Sequence, residues 1–366
     1  MNRLVFRCAL GLLAVTGCGG DDAPQTTGGT GGNGSTTDPS GAPPVTVSAT
    51  TPTAADSSGS ASGTTGGPGS SDTGGSTESA GDSTGASTGG STGDSTGGGA
   101  ELTADPEVIA HGGTVVISGT GLTGATEVTV EGVAIGDFVV DSDTQITADV
   151  VDAVPTGVDV ELAVVTEAGT QTGTVTAIHL VINEVDPDSP NDITADGEEF
   201  IELATGVDAP VSLEGYTVVL WSGMLESYVV VGLEEDGVTS AEGLLVIGSS
   251  NVDPDIAFGA EANNIQNGED AVAIYQGVAA DFAGATLDEV GTEGLIDAVV
   301  YESNADPDVS ELYPLMSCCG RFPVIEEGLT AEIRETVSIV RCADDRRSTD
   351  AFVTNPMTPG AANDCD

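Results

Sequence analysis

Polar and apolar residues alternate in short runs over most of the second half of the chain. Thr114-Val115-Val116-Ile117-Ser118 is one run, and Glu127-Val128-Thr129-Val130-Glu131 alternates with a period of two. Phe138–Val140, Thr144–Val150 and Asp159–Thr166 follow, each bounded by Gly, Asp, Ser or Pro. Short strands at this spacing, with no 3.6-residue periodicity, predict a small β-sandwich over residues 102–180. A second set predicts another over residues 181–364: Leu180–Val185, Glu199–Leu203, Tyr216–Trp221, Tyr228–Val231, Leu244–Ile247, Ala271–Tyr275, Ile296–Tyr301 and Thr336–Arg341. No ten-residue amphipathic helix stands out, so the expected class is all-β.

The pattern changes at the other end. Arg3 and Arg7 precede an apolar stretch, Cys8 to Val15, too short to span a bilayer. A charged start, a brief apolar region and small residues before a cysteine mark a signal peptide, residues 1–17. Residues 18–101 are then almost pure Gly, Ser and Thr, with too little apolar surface to offset ordering entropy. They are expected to form a disordered tether of roughly 50 Å root-mean-square span. Its Gly-x-Ser-Thr repeat, at Gly81, Gly85, Gly89 and Gly93, matches G-x-S-x-G four times. A nucleophile elbow needs a strand before it and a helix after it, so these are false matches.

Composition narrows the function. The 366 residues carry 59 acidic and 7 basic side chains, all arginine, for a formal charge of −52. Between Cys18 and Gly320 there is neither Lys nor Arg. Such a surface repels phosphate backbones and anionic lipid heads, which excludes nucleic acid as a partner and leaves Cys18 as the membrane contact. Once Cys8 leaves with the signal peptide and Cys18 takes lipid, four cysteines remain. Cys318, Cys319, Cys342 and Cys365 are expected to form two disulfides. A bond between the adjacent Cys318 and Cys319 would be strained, so each is expected to pair with Cys342 or Cys365. A Cys₄ zinc site is the rival, though the spacing lacks two C-x₂-C pairs.

Three resemblances add to this. Val15-Thr16-Gly17-Cys18 resembles the lipobox of bacterial lipoproteins, which implies a diacylglycerol thioether on Cys18. Gly19, in place of Asp, implies the outer membrane. Pro106, Gly112–Leu122 and Ser142–Ala148 resemble an IPT/TIG domain, implying an immunoglobulin-like spacer or interaction module. Val181–Val185, Glu199–Leu203, Val211–Tyr216, Asn267–Val272, Ser338–Arg341 and Thr358–Asn363 are similar to an exported lamin tail domain, also immunoglobulin-like. The segment 304–335 departs from that pattern and reads as a cysteine-containing insertion. Gly119 to Gly124 fits G-x-G-x-x-G, but a strand follows where the dinucleotide motif needs a helix.

For chemistry, Asp186, Asp188, Asp192, Asp196 and Glu198 form an oxygen-rich loop that suits Ca²⁺, although Pro190 breaks the EF-hand pattern. The bland alternative is a solvated acidic loop. Asp253/Asp255 and Asp306/Asp308 repeat the theme. His111 and His179 lie 68 residues apart and read as separate surface residues. Trp221 reads as core. No catalytic residue stands out, and no cofactor is implied beyond Ca²⁺. The expectation is a non-catalytic cell-surface lipoprotein of the outer membrane, binding a surface glycan or an envelope protein. A hydrolase site hidden among the carboxylates of the second segment and a passive spacer are the alternatives.

Overall fold

The computed structural model describes residues 45–47, 101–187, 197–234, 236–259, 264–302, 310–316, 324–326 and 336–365. Cys18, the expected signal sequence and most of the expected tether lie outside these, as do Cys318, Cys319, Asp188, Asp192, Asp196, Asp306 and Asp308.

The first sandwich faces a five-stranded sheet against a four-stranded one. The first sheet runs Val108–Ala110, Gly169–Ile178, Gly157–Thr166, Glu127–Val130, Val133–Ala134; the second runs Thr103–Asp105, Thr114–Ser118, Gln145–Asp149, Phe138–Ser142. Val115, Ile117, Ile146, Ala148, Val128, Val130, Leu162, Val164 and Val175 face one another across the interior. They are the apolar half of each alternation, as a half-buried antiparallel strand requires. Gly119 to Gly124 forms the turn between the Thr114–Ser118 and Glu127–Val130 strands, and no helix follows it.

In the second sandwich one sheet is ordered Ser227–Gly232, Tyr216–Ser222, Glu269–Gln276, Leu295–Glu302, Val324–Glu326. The other is ordered Ile256–Ala257, Leu244–Gly248, Phe200–Ala204, Val181–Asp186, Val337–Arg341, Phe352–Pro356. The Tyr216–Ser222 strand is buried at all seven positions because both its faces are covered. Tyr216, Val218 and Leu220 point into the sandwich core. Val219 and Trp221 point outward, under Phe282 and Leu287 of two four-residue helices and under Leu312 and Leu315 of a 3₁₀ turn. Trp221 is 0% exposed and meets Tyr275 edge-to-face, which makes it core.

One three-residue piece of the expected tether is ordered: Val45–Val47 pairs in parallel with Val229–Val231 at that sheet's edge. Their Val-Thr-Val sequence has the β-branched character that suits a sheet edge.

The boundary at 180/181 marks a change of sandwich without a break in the core. Ala110, Ile178 and Leu180 belong to the same apolar cluster as Ile182, Leu203, Tyr216 and Ile296. The Tyr216 hydroxyl accepts from the Ala110 N–H at 2.9 Å and donates to the Val108 carbonyl at 3.0 Å. Gln276 clamps Thr114, its amide oxygen accepting from the Thr114 N–H at 2.8 Å and its NH₂ donating to the Thr114 carbonyl at 2.7 Å. These bonds join the sandwiches into one body.

The disulfide expectation needs correction. Cys342 is bonded to Cys365, with Cα atoms 5.6 Å apart, so neither pairs with Cys318 or Cys319. The physical reason is the path of the C-terminal tail. Phe352–Pro356 returns antiparallel to Val337–Arg341, and the turn beyond it is held by two buried carboxylates. Glu184 accepts from the Thr358 N–H and hydroxyl at 2.8 and 2.7 Å, and Glu202 accepts from the Gly360 N–H at 2.6 Å. Asn363 donates to the Arg341 carbonyl, which brings Cys365 back beside Cys342. A Cys365→Ser variant is expected to lose about 3 kcal/mol, the chain-entropy value for a loop of this length. Thermal melting with and without reductant checks it; equal melting temperatures for parent and variant would show that the carboxylates alone hold the tail.

Candidate functional site at the sandwich junction

A turn follows the Val108–Ala110 strand, and a two-residue link follows the Gly169–Ile178 strand. The two strands are parallel and in register, Ala110 opposite Ile178. One step further along each chain stand His111 and His179. The His111 N–H donates to the Ile178 carbonyl at 3.0 Å, and the His179 N–H to the Thr205 carbonyl at 2.8 Å. The rings meet with their Nδ1 atoms 3.2 Å apart. His111 is 4% exposed and His179 half-buried. The reading of two separate surface histidines is therefore wrong. A parallel pairing across 68 residues brings them together, and no local pattern announces such a pairing.

Each ring's far nitrogen meets a backbone carbonyl. His111 Nε2 lies 2.9 Å from the Val154 oxygen, and His179 Nε2 lies 3.2 Å from the Asp344 oxygen. A carbonyl only accepts, so both Nε2 atoms must carry hydrogen. Burial, and then the neighbouring His179, hold the His111 ring below the usual histidine range. His111 is therefore neutral near pH 7, with its Nδ1 lone pair facing His179.

Asp152 completes the cluster. Its carboxylate, His111 and His179 each offer a ligand atom, all within 4.8 Å of one another. Asp152 is itself paired with Arg346, Oδ1 to Nη2 at 2.5 Å, and its side chain is 69% exposed. Arg346 also donates to the His111 and Ile296 carbonyls at 2.7 and 2.9 Å, so it spans both sandwiches. Its guanidinium lies over Gly112, where a Cβ atom would stand 2.1 Å from Nη1. Gly112 also has φ +81°, which a side chain would strain. Around this group opens a polar pocket of about 870 Å³ lined also by Asp344, Asp345 and Arg347.

The expected calcium loop is only partly described. Asp186 is fully buried at the end of its strand and Glu198 is half-buried, while Asp188, Asp192 and Asp196 lie outside the described residues. Asp255 caps the Val246 N–H at 2.8 Å. Among the described residues the His111, Asp152, His179 group is the one with metal-ligand spacing.

These features define an all-β protein of two fused sandwiches with a histidine-bearing pocket at the seam. No protein-family model matches the chain, and no curated protein does. Among solved structures the chain is similar to SGBP-B of the mixed-linkage glucan utilization locus of Bacteroides ovatus, in complex with a mixed-linkage heptasaccharide. The identity is 11%, over 49% of this chain and 38% of that one, with a TM-score of 0.19. It is also similar to SGBP-B from a complex xyloglucan utilization locus in Bacteroides uniformis, at 13% identity, 48% and 45% coverage and a TM-score of 0.17. A DUF4876 family protein from Bacteroides thetaiotaomicron shares 10% identity over 64% of this chain and 86% of that one, with a TM-score of 0.29. The chain thus spans less than half the length of the first two, and likenesses at these scores carry no argument about its role.

Proposed function

We propose that the chain is a lipid-anchored protein of the cell surface that presents its two sandwiches as a non-catalytic binding module. Cys18 carries the lipid, the Gly/Ser/Thr stalk gives reach, and the IPT/TIG-like and lamin-tail-like sandwiches form the head. The ligand is a surface glycan or an envelope protein. The observation that carries this reading is the junction pocket. Both sandwiches build it, and hydrogen bonds from Gln276, Tyr216 and Arg346 to backbone groups across the seam hold the walls in place. A preformed concave site whose polar groups are held by the protein's own hydrogen bonds can orient a small polar ligand such as a sugar. Asp344 and Asp345 line the pocket as acceptors, and the guanidiniums of Arg346 and Arg347, which donate to Asp152 and to the His111, Ile296, Leu315 and Pro314 carbonyls, fix its rim.

Immobilised mature protein is expected to retain a defined glycan or envelope protein from a panel of bacterial surface polysaccharides and envelope extracts. Arg346→Ala should weaken that retention at least tenfold. Retention unaffected by Arg346→Ala would remove the pocket from the reading. Turnover of a hydrolase substrate, abolished by one carboxylate substitution, would replace binding with catalysis.

A further inference from the structure

We infer that His111, His179 and Asp152 form a divalent transition-metal site at the sandwich junction, with zinc the natural occupant and one coordination position open to the pocket. Both Nε2 atoms face backbone carbonyls, so both carry hydrogen. If the 3.2 Å approach of the two Nδ1 atoms were a hydrogen bond, one of them would carry a second hydrogen. That ring would then be an imidazolium, close to the Arg346 guanidinium that already pairs with Asp152.

A metal ion removes the difficulty. Two nitrogens bound tetrahedrally at 2.0–2.1 Å stand about 3.3 Å apart, and the two Nδ1 atoms stand 3.2 Å apart. Both rings then stay neutral, their Nδ1 lone pairs on the ion and their Nε2–H groups on Val154 and Asp344. Metal-ligating histidines are oriented in this way, each far N–H donating to a carbonyl or carboxylate. Asp152 supplies the third ligand through the oxygen that Arg346 does not hold, and Arg346 fixes the carboxylate from behind. Two imidazoles and one carboxylate suit zinc and its neighbours, whereas Ca²⁺ and Mg²⁺ call for oxygen ligands. The cation also lowers the repulsion among Asp152, Asp344 and Asp345, and the chain's net charge of −52 concentrates cations at its surface. Because His111 and Asp152 belong to the first sandwich and His179 to the link, the ion fastens that link beside Asp344 of the second sandwich.

The test is metal binding by the mature, lipid-free protein after chelator treatment. Cobalt is the spectroscopic probe and zinc the competitor. One Co²⁺ per chain should give the intense visible bands of a four-coordinate nitrogen–oxygen site, bleached by one equivalent of Zn²⁺ and untouched by millimolar Ca²⁺. His179→Gln and Asp152→Asn should each weaken zinc binding at least tenfold. Their melting temperatures without metal, equal to the parent's, would certify the fold, and the parent alone should gain stability when zinc is added. A colourless cobalt complex overturns the proposal. So does zinc uptake that is the same in parent and His179→Gln, which would place the ion on the acidic surface.

Discussion

Replacing Asp297 by Ala is expected to lower stability by about 3–5 kcal/mol, the range for removing one member of a buried ion pair. For a body of this size that is a fall of roughly 10 °C in melting temperature. Asp297 sits in the Leu295–Glu302 strand, where all eight residues are buried. Its Oδ2 accepts from Arg341 Nη2 at 2.5 Å and from the Ile182 N–H at 2.9 Å. Its Oδ1 accepts from the Arg347 N–H at 2.7 Å. Arg341 in turn donates to the carbonyls of Ile182 and Asp345, each at 2.7 Å, and lies over the Phe352 ring. Truncating Asp297 strands the guanidinium and two backbone N–H groups at once. The double variant Asp297→Ala/Arg341→Met should recover only part of the loss. It removes the orphaned charge but leaves the Ile182 and Arg347 amides unanswered. Chemical denaturation of the three proteins checks this, and a single-variant loss below about 1 kcal/mol would sink it. The same pair shapes the pocket, because Arg341 and Asp297 grip both ends of the 345–347 segment. Ligand retention should therefore fall with Asp297→Ala even at temperatures where the variant is folded.

How much of this was legible beforehand depended on the range of each interaction. Strands whose alternation faces one core were readable, and the runs at Thr114–Ser118, Tyr216–Trp221 and Ala271–Tyr275 fall inside observed strands. The Gly169–Ile178 strand carries no alternation signal because Gly, Thr and Gln fill its first half, where it is mostly exposed. What identifies it is pairing with Gly157–Thr166, a property of two segments together. The Cys342–Cys365 pairing is not legible in the sequence, because counting cysteines and strain at Cys318–Cys319 say nothing about where the tail returns. Glu184 and Glu202 set that return. Their signal is a carboxylate within an apolar strand, where a buried acid needs donors, but the donors from the tail lie more than 150 residues away. The histidine pair follows the same rule: His111 and His179 meet through one parallel register.

The fold is also expected to be more stable near pH 5 than near pH 8. Burial pushes the Glu202 carboxyl up to about 7, against the lowering effect of its bonds from Asn183 and Gly360. Burial likewise raises Asp270 to about 7, although the Gly268 and Gly223 amides oppose it. In the unfolded chain such groups titrate near 4. Between about pH 4 and 7 the folded protein therefore holds protons that the unfolded chain has released, and raising the pH through that window favours unfolding. Each group contributes on the order of 3 kcal/mol across the window, from the displacement of its pKa. His111 acts in the opposite sense: its lowered pKa costs stability as pH falls through the ordinary histidine range. It is one group against two, and the acidic surface sides with the carboxyls, since lower pH relieves the self-repulsion of 59 acidic residues. Calorimetry from pH 4.5 to 8.5 should show the melting temperature falling by several degrees towards the alkaline end. Asp270→Asn should flatten the slope, because the amide is neutral throughout. Zinc in the buffer would mask the histidine contribution, so the series belongs in chelator. A melting temperature that rises between pH 5 and 8 in that buffer would mean that Glu202 and Asp270 are ionised in the folded protein, with donors strong enough to overcome their burial.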